Sequence, residues 1–163
     1  MASKSQHLQI RVTPRQKATL KRLATAAGQD ISSYVLSRAL PPARLRFEEL
    51  LSLLGEAAEH RYVLAELNDF LTALAPAELP EAVEHADLAR LSPFLKNYVA
   101  AMVEQASHLK GVPSPAWTAR VAPLAAPYFA APLTSLRLHL LRVSPVPFKR
   151  RNIFVDAALG ARV

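Results

Sequence analysis

The chain opens on a period of two. In "HLQIRVTPRQK", Leu8, Ile10 and Val12 are apolar while Gln9, Arg11 and Thr13 are polar. On an extended segment this gives one apolar and one polar face, the pattern of a short strand. At Pro14 the period changes to 3.6. Thr13 reads as a helix N-cap with Pro14 at the first helical position, where its missing N–H costs nothing. Leu20, Leu23, Ala24 and Ala27 then recur as one stripe, and Gly28 supplies a left-handed stop. Asp30 can cap a second helix with the stripe Ile31, Tyr34, Val35 and Ala39, which Pro41-Pro42 ends.

Beyond the prolines the helical period continues. "RLRFEELLSLLGEAAEHRYVLAELNDFLTALAP" carries the stripes Leu50, Leu53, Leu54, Ala57 and Val63, Leu67, Phe70, Leu71, Leu74, with a break or bend expected at Gly55. "APAELPEAVEHADLARL" suits a shorter helix or helical turn. "SPFLKNYVAAMVEQASHLKG" predicts a helix capped by Ser92 and stopped by Gly111, with Leu95, Val99, Met102, Val103 and Ala106 inward. The last third holds more than half of the thirteen prolines. It predicts an extended, proline-pinned segment with one amphipathic helix, Leu133 to Val143. The expected class is mostly α.

A lone strand leaves backbone groups unpaired along both edges, and a strand-helix-helix unit of about forty residues is too small to hold a core alone. Both problems vanish if two copies pair their strands antiparallel about a two-fold axis. "LQIRVTPRQKATLKRLATAAGQDISSYVLSRAL" resembles the ribbon-helix-helix repressors, and among them the antitoxins that repress their own operons. The resemblance rests on the alternating strand, the Thr-Pro helix start, Gly28 before a polar loop, and Ile31-Ser32-Ser33 opening the second helix. It covers about a quarter of the chain. It implies a β-α-α homodimer, with an intermolecular two-stranded ribbon lying in the major groove of operator DNA. By position, Gln9 and Arg11 would touch base edges, with His7 and Thr13 at the ends. Arginine suits guanine and glutamine suits adenine in that groove. Ser32 and Ser33 would meet phosphate at the start of the second helix, and Lys4, Arg15, Lys17, Lys21 and Arg22 would add phosphate contacts.

Charge divides the chain further. Residues 1–46 hold nine Lys/Arg against one acid, a balance of +8; 47–109 hold three against eleven, −8; 110–163 hold eight against one, +7. A basic head, acidic middle and basic tail are unsuited to one shared task. Residues 1–42 therefore read as a DNA-binding and dimerisation domain, and 43–163 as an α-helical partner-binding region with a proline-rich basic end. Trp117, Phe148 and Phe154, with Lys149, Arg150 and Arg151, are the tail's candidate anchors for a protein partner, which in an antitoxin is the cognate toxin. Completing the second domain's own core is the competing role for these aromatics.

Candidate chemistry adds little. Glu56-x-x-Glu59-His60 and Glu81-x-x-Glu84-His85 put carboxylates and imidazole on one turn, but neither has the di-iron or zinc-hydrolase spacing. A solvated acidic face is the plainer reading, so no metal and no cofactor is expected. No phosphate loop, nucleophile elbow or Ser/His/Asp pairing points to an enzyme. Absent cysteine, a polar "MASKSQ" start and no long apolar run fit a cytoplasmic protein with no membrane contact. Two other readings stay open: a ligand- or metal-responsive regulator of the same fold, and a plasmid partition or mobilisation accessory protein.

Overall fold

The computed structural model describes residues 9–39, 42–131 and 133–156. The chain divides into two compact units, Met1–Leu40 and Pro41–Val163.

In the first unit α1 (Pro14–Ala26) packs against α2 (Ile31–Ala39). Thr13 has extended backbone and closes a capping box: its hydroxyl accepts from Gln16 N–H at 3.3 Å, and Gln16 Oε1 accepts from Thr13 N–H at 2.9 Å. Gly28 sits at φ +66°, where a side chain would be strained. Asp30 Oδ1 accepts from the N–H groups of Ser32 and Ser33 at 2.9 and 3.0 Å. Ala24 and Tyr34 are buried, whereas Leu23 and Ile31 from the same stripes, and Leu36 outside them, remain exposed. Residues 9–13 form no strand within the single chain. A strand needs a ladder partner, and the sequence offers none within this unit. Leu8 lies outside the described residues.

The second unit is built on α3 (Pro42–Glu56), α4 (His60–Ala73), α5 (Leu79–Ala82) and α6 (Pro93–Lys110). The expected break falls after Glu56, in the three residues before α4. Gly55 lies in the last turn of α3, where a Cβ would come within 3.2 Å of Arg90 Cβ, so its smallness lets residues 90–91 pack close. The buried stripe of α3 is Phe47, Leu50, Leu51 and Leu54. Leu53, expected inside, faces water. Helix α6 is capped as predicted by Ser92, which accepts from Leu95 N–H, and stopped by Gly111 at φ +66°. It is covered along most of its length, with even Asn97, Gln105 and Ser107 buried, which makes it the central helix of the unit.

The tail completes this unit rather than extending from it. After a 3-10 turn at Thr118–Arg120, strand β1 (Tyr128–Phe129) pairs in parallel with β2 (Ile153–Phe154), Tyr128 opposite Ile153 and Phe129 opposite Phe154. Between them lie a 3-10 turn at Thr134–Leu136, α7 (Arg137–Val143) and α8 (Val146–Lys149). Phe148, Ile153 and Val155 join the same apolar cluster as Leu67, Leu71, Val99 and Val103. The molecule is mostly helical. Among the described residues no helix is long and apolar enough to cross a membrane.

Candidate nucleic-acid interface

The predicted base-contact residues fall into three cases. Gln9 and Arg11 are exposed, on a segment whose neighbouring apolar residues Ile10 (58 % exposed) and Val12 are also open to water. Thr13 is engaged by the capping box, its hydroxyl donating to Gln16 Oε1 at 3.0 Å while accepting from Gln16 N–H. Reaching a base would cost it that cap. His7, like Lys4 among the phosphate contacts, lies outside the described residues.

Arg15, Lys17, Lys21 and Arg22 are all exposed on α1, and no acidic residue occurs in that helix. The start of α2 is more constrained. A helix N-terminus offers N–H groups to an anion, but here Asp30 already takes those of Ser32 and Ser33. Asp30 Oδ2 also accepts from the Ser33 hydroxyl at 2.5 Å. Ser33 is thus satisfied internally by a carboxylate sitting where a phosphate would sit. The Ser32 side chain is exposed.

The six tail candidates do not form a surface. Arg151 is only 5 % exposed and works inside the second unit. Its guanidinium donates to Glu104 Oε1 at 2.6 Å, Thr118 O at 2.8 Å and Val121 O at 3.3 Å. Phe148 lies in the core against Tyr98, ring centroids 5.3 Å apart, and Phe154 stacks on Phe129 at 4.8 Å. Trp117 is half-buried, its indole N–H donating to Val83 O at 2.8 Å. Lys149 Nζ donates to Arg142 O, and Arg150 alone of the six is exposed. The competing expectation for these aromatics describes what the fold does with them. The buried Arg151–Glu104 pair was missed because its partners stand 47 positions apart, with no local signal.

Of the two Glu/Glu/His clusters, Glu81, Glu84 and His85 border an open cavity of about 560 Å³ with Trp117 and Arg120. In the other, Glu56 pairs with Arg90 and Glu59 with Arg61. Among the described residues no group of three or more His, Asp or Glu side chains is placed to hold a metal ion.

No curated protein and no solved structure matches the chain. The N-terminal part does find a family: residues 7–49, from the predicted strand through α1 and α2 into α3, match the protein-family model described as Antitoxin TacA 1-like.

Proposed function

We propose that the protein is the antitoxin of a toxin–antitoxin pair and the autorepressor of its operon. In this reading it is a cytoplasmic, non-catalytic homodimer whose first unit binds operator DNA and whose second binds the toxin. The observation that carries it is the coincidence of the antitoxin family match over residues 7–49 with a two-helix unit that leaves Ile10, Val12, Leu23, Ile31 and Leu36 uncovered. Apolar residues at strand and helix periods are stable when something covers them. A second copy, pairing residues 8–13 antiparallel as a ribbon-helix-helix, covers them and satisfies the strand edge together.

On this reading Gln9 and Arg11, flanked by His7, lie in the major groove, and Lys4, Arg15, Lys17, Lys21, Arg22 and Ser32 meet phosphates. The test is a fragment of residues 1–42 studied by analytical ultracentrifugation and gel shift on the promoter of its own operon. A dimer that binds this DNA, with affinity falling steeply as salt rises, is expected. A folded monomer would refute the shared ribbon. Co-expression with the protein of the adjoining gene tests the other half, since rescue of growth and copurification are both expected.

A further inference from the structure

We propose that α7 is the toxin-docking element, seating outward leucines in an apolar groove rimmed by carboxylates on the partner; this rests on the antitoxin reading above. Helix α7, "RLHLLRV", is apolar on two sides. Leu140 is buried against its own unit, while Leu138 is 79 % exposed and Leu141, one turn along, is exposed beside it. Leu133 (61 % exposed) and Val146 (58 % exposed) flank the helix in sequence. Of these two apolar sides the fold covers one only. Large leucines one turn apart on an outer face are the anchors with which a helix enters a groove.

Charge selects the occupant. Arg142 is exposed on α7 and Arg150 just after α8, and Lys149 Nζ donates to the Arg142 carbonyl at 2.9 Å. Against these cations the helix meets one carboxylate among the described residues, Asp156, 3.8 Å from His139. A second copy presenting the same face would set arginine against arginine. A partner with carboxylates around an apolar groove meets both features.

The experiment uses the full chain and the purified product of the adjoining gene, with affinity measured by calorimetry. Leu138→Asp and Leu141→Asp should each weaken binding about tenfold or more, and the double variant about a hundredfold, as loss of a buried anchor does. Helicity and operator gel shift should be unchanged in both, and the melting temperature unchanged for Leu138→Asp, whose side chain faces water, and only slightly lowered for Leu141→Asp, which is partly covered. Arg142→Glu with Arg150→Glu should weaken binding and flatten its salt dependence. The charge pair also serves if an aspartate variant fails to fold. If the wild-type chain does not bind this protein, the antitoxin reading fails and the docking site with it. If the wild type binds and the leucine variants bind equally well, the docking site is wrong while the antitoxin reading stands. Self-association lost in Leu138→Asp would instead assign the face to a second copy. Leucine-dependent pelleting with phosphatidylglycerol vesicles would assign it to a membrane surface. Either result overturns the proposal.

Discussion

The Arg151 guanidinium, held between Glu104 and the carbonyls of Thr118 and Val121, ties α6 to the loop that follows it and to the turn before β2. Removing one member of a buried pair leaves the other uncompensated. Arg151→Ala should therefore lower the stability of the second unit by about 3 kcal/mol in urea denaturation. Glu104→Gln keeps an acceptor at the same place and should cost about 1 kcal/mol. Equal costs for the two would mean that the charge pairing, not the hydrogen bond that Gln keeps, carries the interaction. Tyr98 offers a pH test. Burial, with nearby Tyr128 adding to it, raises its phenol above the usual 10.0. The folded chain keeps that proton longer than the unfolded one. The associated stability is intact below about pH 10 and lost as pH climbs through the folded value. Tyr98→Phe preserves the ring contacts with Phe94 and Phe148 and removes the titration. Its melting temperature should fall less steeply than that of the wild type above pH 10, and superimposable curves would discount Tyr98 as the cause.

At the scale of the element, the start of α2 sets a capping residue against a ligand. Asp30 stabilises the helix through Ser32 and Ser33, yet a carboxylate there repels phosphate. Asn is an equally good N-cap without the charge. Asp30→Asn should thus leave the melting temperature nearly unchanged while tightening DNA binding about three- to fivefold, an electrostatic gain of roughly 0.7–1 kcal/mol. Unchanged affinity would mean that the phosphates pass elsewhere and that Ser32 is not a contact. The helix boundaries here were legible in the sequence because capping is local: Thr13 with Gln16, Gly28, Ser92 and Gly111 each act within a few residues. The α3 stripe was legible only in part. Periodicity admits either Leu51 or Leu53 beside Leu50 and Leu54, and only packing against the rest of the unit decides for Leu51.

At the scale of the whole chain, what sequence reasoning could not reach was the fate of the tail. Proline and aromatic content suits a segment that wraps a partner and a segment that closes a core equally well. The choice depends on contacts tens of residues apart, such as Arg151 with Glu104 and Asn152 with Leu124. In this fold Phe148, Ile153 and Val155 are core, which changes what truncation should do. Ending the chain after Gly111 removes these three from the cluster around α6, and each large buried side chain lost costs about 2–4 kcal/mol. Together the three losses are comparable with the whole stability of a domain of this size, about 5–15 kcal/mol. The truncated chain should show lost helicity and a melting transition lowered or absent, while the first unit, separate from this core, keeps its gel shift on operator DNA. Toxin binding should be lost as well, but that loss alone cannot identify a binding surface, because the unit that carries it has unfolded. Surface substitutions on α7 avoid this ambiguity. A truncated chain that retained the melting transition of the full protein would show that the residues after Gly111 are dispensable for the core, and Phe148 and Arg151 would return as candidates for partner contact.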